Sequence, residues 1–250
     1  RALYSPLDVI SIAQENPDKK VVFFAIGFET TTPMSAVVVE QATNLGLKNL
    51  FVHINHVTVP APVRAIMSDK DVKIDAFLGP SHVSVITGSA IYEELADEFG
   101  TPIAVSGFEP LDLMDSILNL VNQHENGTHK VYNEYARVVS NQGNLKAKEL
   151  INKYLEPCDF EWRGLGVIPM SGMKLRDEFG MFDARKHFNV EVGESKESKA
   201  CICGEILRGK AKPYDCKVFG KVCNPQNPIG SCMVSGEGAC AAYYKYTKRG

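Results

Sequence analysis

The stretch KKVVFFAIGF, residues 19–28, decides the fold class. It is a continuous apolar run rich in β-branched and aromatic residues, which is typical of a strand buried on both faces of a parallel sheet. Three similar runs follow, at NLFVHIN (49–55), IDAFLGP (74–80) and TPIAVSGF (101–108). Helical patterns lie between these runs. We therefore predict an α/β fold with a Rossmann-like parallel sheet flanked by helices.

Three of the predicted helices have clear boundaries or clear periodicity. They cover residues 33–45, which end near Gly46, and residues 91–99, where Gly100 follows as a C-terminal cap. The third comes after the fourth strand and is amphipathic, because apolar residues recur there with helical spacing, at Leu111, Met114, Ile117, Leu118 and Val121.

The composition is that of an ordinary globular protein. Of the 250 residues, 44% are hydrophobic and 23% are charged, and the formal net charge is −3. Neither this charge nor any apolar run, all much shorter than the roughly 20 residues that span a bilayer, suggests a nucleic-acid or membrane partner. The first residues contain no signal-peptide pattern, so we expect a cytoplasmic protein in which clustered cysteines serve metal or redox chemistry.

We expect three parts along the chain. Residues 1–124 form the Rossmann-like α/β domain, and residues 125–193 form a helical and loop connecting region that contributes to a second lobe. Residues 194–250 form a small cysteine-rich domain. The charged stretch GESKESKA, residues 193–200, has the composition of a linker to that domain.

Polar residues follow three of the predicted strands, in GFETTTP, GPSHVSVITG and SGFEPLD. Because ligands of an open parallel sheet bind beyond the carboxyl ends of its strands, we predict a cleft at one rim. Its candidate residues are Glu29, Thr30, His82 and Glu109, with Thr31, Ser81 and Asp112 beside them. The threonines, the serine and the aspartate could equally be helix caps. His53 and His56 lack the spacing of a metal site, and we predict that they are hydrogen-bonded at a strand end.

Six cysteines lie between residues 201 and 240, whereas the first 200 residues contain only Cys158. Structural zinc sites use paired Cys-x2-4-Cys knuckles, and this segment has none. Three disulfides would need an oxidising compartment. A [4Fe–4S] cluster takes four thiolates at irregular spacing, which suits loops rich in glycine and proline, and two cysteines would remain for a reversible disulfide. Basic residues of this segment either offset the charge of a cluster, attract an acidic partner or form a solvated face.

Several motifs resemble those of the HypD family of [NiFe]-hydrogenase maturation proteins. They are GFETT, GPSHVSVITG, SGFEPLD, WRGLGVIPMSGMKLR, CGEILRG and CMVSGEGACAAYYKY, and the resemblance runs from YSPLD to the C-terminus. It implies two Rossmann-like lobes and a small iron–sulfur domain whose surroundings resemble those of ferredoxin:thioredoxin reductase. It also implies that the chain and HypC hold an iron atom while CO and cyanide ligands are added, with cyanide delivered through HypE. The Fe(CN)2CO unit then passes to the hydrogenase large subunit.

The resemblance assigns roles to the cysteines. The family pattern Cys-x14-Cys-x6-Cys-x16-Cys matches Cys201, Cys216, Cys223 and Cys240, which it implies as cluster ligands. Cys203 and Cys232 then match the redox-active pair, and Glu237 matches a glutamate near the cluster, so these three are the implied catalytic residues. Cys158 matches no motif. The Cys-Gly-Thr-His and Cys-Pro-x-Cys motifs of the family do not occur in this sequence, and we expect the chain to lack the family's N-terminal part, with most of one lobe.

The leading hypothesis is therefore an assembly scaffold in which electrons pass from the cluster to the Cys203–Cys232 disulfide and on towards the cleft. A cluster-dependent thiol–disulfide reductase is the alternative. A third possibility is a binding module stapled by zinc.

Overall fold

The computed structural model describes residues 1–191 and 198–247. Its strands are β1 Val21–Gly27, β2 Leu50–His56, β3 Phe77–Gly79, β4 Ile103–Val105, β5 Val131–Asn133, β6 Leu155–Trp162 and β7 Gly166–Leu175. Its α-helices are α1 Asp8–Glu15, α2 Thr32–Asn44, α3 Pro60–Met67, α4 Ser81–Thr87, α5 Glu93–Phe99, α6 Pro110–Glu125, α7 Leu145–Tyr154, α8 Ala184–His187, α9 Cys203–Leu207, α10 Ser231–Val234 and α11 Ala239–Tyr246. Short 3₁₀ helices occur at Ala90–Tyr92, Asp177–Phe182 and Pro213–Asp215.

The first five strands pair in parallel, but they do not form one sheet, and β6 and β7 form a separate two-stranded sheet. β1 pairs with β2 from Val21–Leu50 to Gly27–His56, and β4 pairs with β3 and β5 in a second parallel sheet. The α/β class with parallel sheets and flanking helices is thus confirmed, whereas the single sheet is wrong for the described residues. Pro80 directly follows β3 and Pro102 directly precedes β4, and because a proline has no N–H for a ladder these two residues limit the length of the two strands.

The described residues divide into two units. The first consists of residues 1–61, 75–159 and 169–191. The second consists of residues 62–74, 160–168 and the described residues from 198 onward, so two short segments from earlier in the chain belong with the cysteines. The three-part division drawn from the sequence stays a prediction. Its boundary at 193/194 and most of the GESKESKA stretch lie outside the described residues.

The core of the first unit forms where α1, α2 and α7 meet the β1–β2 sheet. Val38 and Val39 of α2 and Val52 of β2 are completely buried, and Leu155 and Phe182 are almost so. Gly100 ends α5 with a φ of +58°, the left-handed conformation in which glycine is the residue of least strain. The cap predicted at this position is therefore confirmed.

Two apolar surfaces predicted from the sequence face solvent. β1 buries only one of its faces, and Val22, Phe24 and Ile26 on the other face are 46%, 59% and 58% exposed.

The apolar stripe of the amphipathic helix α6 faces solvent instead of the core. All five residues of the stripe are exposed, whereas Asp112, Ser116 and Leu120 are buried. Asp112 is buried because its carboxylate binds Arg137 and accepts the N–H of Glu109.

The orientation of α6 can be tested with two leucines of the same helix. We expect Leu120→Ala to lower the free energy of unfolding by about 2–4 kcal/mol, because it removes a buried side chain. Leu118→Ala, at a position that is 57% exposed, is the matched control and should change it by less than about 0.5 kcal/mol. Urea unfolding of both variants measures the difference, and equal losses would contradict this orientation.

Candidate functional site

Six cysteine side chains line one small cavity in the second unit. They are Cys201, Cys203, Cys216, Cys223, Cys232 and Cys240, and they share the cavity wall with Ile206, Phe219 and Met233. The cavity volume is about 10 Å³, which is about what one water molecule needs. The thiols would therefore have to move apart to surround a larger group.

Two of these cysteines form a disulfide. Cys203 begins α9 and Cys232 lies in α10, and their Cα atoms are 6.2 Å apart, within the usual range for a disulfide. The remaining four cysteines that line the cavity are free thiols, as is the half-buried Cys158 in the first unit. The cysteines implied as ligands are thus the free ones, and the pair implied as redox-active is the bonded one. The roles of both sets stay predictions.

The four free thiols are close enough to influence one another electrostatically. Burial, followed by the negative charges of the other three thiolates, raises the pKa of Cys240 from 9.0 to about 11. Burial also raises the pKa of Cys201, and the thiolates of Cys216 and Cys223 add to that effect. Thiols in this condition remain protonated at neutral pH, and a cation that binds their sulfurs displaces the protons.

Backbone groups hold two of the sulfurs in place. The Cys216 thiol donates to the carbonyl of Ala200 at 3.7 Å, and Cys223 Sγ accepts the N–H of Ile229 at 3.4 Å. Gly230 is equally important, because a Cβ atom there would collide with Cys201 Sγ and lie 3.5 Å from Cys203 Cβ. Any larger residue would therefore have to displace Cys201 Sγ, whereas its contact with Cys203 would be an ordinary one.

The donor set fits an iron–sulfur cluster in its chemistry. Four free thiols converge on one cavity with apolar neighbours, and such soft donors suit iron–sulfur clusters and zinc. Within residues 1–191 and 198–247, no three His, Cys, Asp or Glu side chains are grouped so that they could hold one metal ion. Among these residues there is also no helix long and apolar enough to cross a membrane.

Ion pairs attach residues 62–74 to the cysteine segment. Lys210 Nζ donates to Asp69 at 2.7 Å, and Arg208 Nε lies 3.0 Å from the same carboxylate. The hydrogen bond from Lys210 is the main cause that lowers the pKa of Asp69. The N–H of Lys73 adds a backbone hydrogen bond to the carbonyl of Arg208 at 2.9 Å. Lys210 and Arg208, two of the basic residues of the cysteine segment, thus form structural ion pairs.

Glu237 lies apart from the sulfur cavity. Its side chain is exposed, its backbone N–H donates to Ser235 Oγ at 3.2 Å, and it is not among the described residues that line the cavity. No contact of Glu237 with the sulfur cavity supports its predicted catalytic role, which stays a prediction.

The predicted cleft residues differ in their environments. Glu29 is buried, one carboxylate oxygen accepts the N–H of Val59 at 2.9 Å, and burial raises its pKa. Thr30, His82 and Glu109 are exposed, and His82 packs against Phe108 with ring centroids 4.4 Å apart. Glu29 and Glu109 follow strands of different sheets, so the argument that places them on one rim does not apply.

His56 behaves as the sequence predicted. It is buried at the end of β2, and its Nε2 lies 2.8 Å from Ser35 Oγ. His53 instead stacks on Phe24, with ring centroids 4.7 Å apart.

Sequence reasoning missed the buried residue Tyr92. Its burial raises the pKa of the hydroxyl to about 12, and that hydroxyl lies 3.1 Å from Ser84 Oγ. It also missed Gly230 and Ser231, although the sequence Gly-Ser directly before Cys232 was an available signal.

We expect His56 to make the stability of the protein depend on pH. Burial lowers its pKa from 6.5 to about 4, so the unfolded chain takes up a proton that the folded chain does not. Neutral His56 thus contributes up to about 3 kcal/mol to the free energy of unfolding. This contribution is complete above pH 6.5 and is lost as the pH falls towards 4. Urea unfolding at pH 7 and pH 4 should show a smaller loss of free energy of unfolding for His56→Gln than for the unsubstituted chain. His124→Gln, at an exposed position, should retain the full loss; parallel behaviour of all three chains would refute this.

Comparison with known proteins gives one consistent result. The chain matches the family described as "HypD: Hydrogenase formation hypA family" over residues 1–247. It is 50% identical over 255 residues to hydrogenase maturation factor HypD of Azotobacter vinelandii, covering 100% of this chain and 67% of that protein. It is 50% identical over 253 residues to HypD2 of Bradyrhizobium diazoefficiens, covering 98% of this chain and 67% of that protein.

A relative of lower sequence identity gives the same result. Hydrogenase maturation factor HypD of Escherichia coli is 44% identical over 250 residues, with 100% of this chain and 67% of that protein aligned. The chain thus spans about two thirds of the length of these relatives. With a family match over almost its whole length, the chain belongs to the HypD family of hydrogenase maturation factors.

Proposed function

We propose that this chain acts in hydrogenase maturation as an assembly scaffold and electron relay, with a [4Fe–4S] cluster held next to a redox-active disulfide. One observation carries the proposal: four free thiols and one disulfide converge on a single cavity. Family membership supplies the process in which this chemistry would be used.

Cys201, Cys216, Cys223 and Cys240 would hold the cluster. When bound, the cluster supplies one-electron transfers at a potential set by its surroundings. The chain's own residues contribute a dry environment, through Ile206, Phe219 and Met233, and hydrogen bonds from the backbone to sulfur.

The Cys203–Cys232 disulfide is the two-electron partner. Its reduction takes up two electrons and two protons, breaks the S–S bond and leaves two thiols. Cys203 Sγ accepts the N–H of Cys232 at 3.2 Å and lies 3.3 Å from Ser231 Oγ, so polar groups are already in place around that sulfur. Its location on the wall shared with the four free thiols makes short-range electron exchange geometrically reasonable.

The proposed partners are HypC, which would share the iron under construction, and HypE, which would deliver cyanide. The Fe(CN)2CO unit is cargo that would leave for the hydrogenase large subunit, and the strand-end residues Glu29, Thr30, His82 and Glu109 are candidates for contacts with it. The proposed compartment is the cytoplasm, where thiols of this kind remain reduced.

Metal analysis of anaerobically purified chain tests the cluster. We expect about four iron atoms and four acid-labile sulfides per chain, as a four-thiolate cube requires. Cys240→Ser should lose most of both, whereas Cys158→Ser, at the free thiol of the other unit, should retain them. Zinc without sulfide would instead favour the zinc-stapled binding module.

In cells that lack the maturation factor, Cys203→Ser should keep the cluster but fail to restore hydrogenase activity.

Gly230 provides an independent test of the sulfur packing. We expect Gly230→Ala to lower the free energy of unfolding by about 1–3 kcal/mol, because its Cβ would displace Cys201 Sγ. Iron and sulfide content should fall with it. Gly236→Ala is the matched control, since nothing lies within 4 Å of a Cβ at that position. Normal iron content in Gly230→Ala would count against Cys201 as a ligand.

The alternative, a thiol–disulfide reductase, is favoured by one feature of the same unit. Cys203 also lines a second, larger pocket whose wall includes the exposed residues Arg163 and Glu205. Reduction of a protein disulfide by the isolated chain, without any need for hydrogenase partners, would support that alternative.

A further inference from the structure

The disulfide has two unlike sides. The second pocket has a volume of about 260 Å³, and Cys203 contributes to its wall together with Arg163, Gly204 and Ser231. Cys232 lines the small sulfur cavity and is not among the residues that line the larger pocket. Both side chains are buried, but Cys203 borders a space that can admit a small group and Cys232 is not among the residues that line it.

Polar groups of the pocket are arranged around the Cys203 side. Ser231 Oγ lies 3.3 Å from Cys203 Sγ and donates to the carbonyl of Arg163 at 3.3 Å. The backbone N–H of Cys232 points at the same sulfur, at 3.2 Å. Because the single hydroxyl proton of Ser231 goes to the Arg163 carbonyl, the N–H of Cys232 is the donor at Cys203 Sγ, and it holds the Cys203 side chain at the pocket wall.

Arg163 gives the pocket a positive charge. Its Nη2 donates to the carbonyl of Ile229 at 3.0 Å, which fixes the guanidinium at the pocket, and no carboxylate of the described residues forms an ion pair with it. The other cation of the wall, Arg208, is bound to Asp69 at 3.0 Å, and the carboxylate of the wall, Glu205, lies 3.9 Å from Arg208. A guanidinium that keeps N–H donors unused by the described residues is well suited to a carboxylate.

We propose that Cys203 is the sulfur that exchanges with an external thiol, and that Arg163 selects a thiol that carries a carboxylate. This rests on the proposed function only in taking the disulfide as redox-active. In the step, the external thiolate attacks Cys203 Sγ, a mixed disulfide forms, and the bond to Cys232 breaks. Cys232 leaves as a thiolate and takes a proton from solvent, which replaces the proton that the external thiol lost, so the exchange needs no oxidant.

Three small thiols of similar length and different charge test the proposal. The oxidised chain, with its iron content already measured, is treated with 3-mercaptopropionate, 2-mercaptoethanol or 2-mercaptoethylamine. Free thiols are then blocked and the adducts are located by peptide mass spectrometry. We expect the mixed disulfide on Cys203 and the blocking group on Cys232, with at least a tenfold preference. Adducts mainly on Cys232, or no exchange with any of the thiols, would overturn the assignment.

The rates test the selectivity. The rate of exchange between each thiol and the Cys203–Cys232 disulfide is divided by the rate of the same thiol with a small neutral disulfide. This division removes differences in the intrinsic reactivity of the thiols. We expect 3-mercaptopropionate to lead by about tenfold, a typical effect of one charge-assisted hydrogen bond. Arg163→Gln should abolish this lead, whereas Lys217→Gln, an exposed cation of the same unit outside the pocket, should retain it. An unchanged lead in Arg163→Gln would overturn the role of Arg163. Neither readout depends on iron, so a chain without cluster would refute the proposed function and leave this test intact.

Discussion

In the second unit, sulfur atoms occupy the positions that aliphatic side chains fill in most small domains. Its buried cluster contains Cys203, Cys223, Cys232 and Cys240 beside Ile206, Met233 and Ala241. The helices that carry these residues are short, and α9 and α10 have five and four residues, too few to be stable alone. The unit therefore depends on the convergence of its cysteines, and the site and the core are the same set of atoms.

The convergence also explains why residues distant in the chain belong to this unit. Asp69 holds Lys210 and Arg208, and Arg163 and Gly164 lie against the segments that carry the disulfide. These contacts position α9 and the chain before Cys232, because the described residues 198–247 contain no regular strand that could do so by backbone pairing. The cysteine segment thus relies on support from residues 62–74 and 160–168.

Local patterns predicted local structure well. The four apolar runs became strands because each is apolar and β-branched throughout, and Gly100 became a helix cap because few other residues adopt its φ without strain. Burial was predicted less well, since the stripes on β1 and α6 are apolar whether or not anything packs against them. The separation of these four strands into two sheets was missed for the same reason, because strand pairing is decided between segments and not within them.

The site shows the same limit. Six cysteines can pair in 15 ways, and spacing alone does not choose among them, so the pairing came from the family resemblance. Gly230 could not be recognised as essential, because its role arises only where the chain passes Cys201 Sγ. The lining of two different pockets by the two sulfurs of one bond is likewise a property of the folded chain.

The Cys203–Cys232 bond also closes a ring of chain, since the two residues are 29 positions apart, and Cys216 and Cys223 lie inside it. A ring of this length restricts the unfolded chain enough to stabilise the folded one by about 3–4 kcal/mol. Reduction returns that freedom to the segment that carries two of the four free thiols. By thermodynamic reciprocity, any ligand that fixes Cys216 and Cys223 in space makes the ring easier to close. The oxidation state of the pair and the order of the neighbouring thiols are therefore linked through chain entropy, even where no atom of one touches the other.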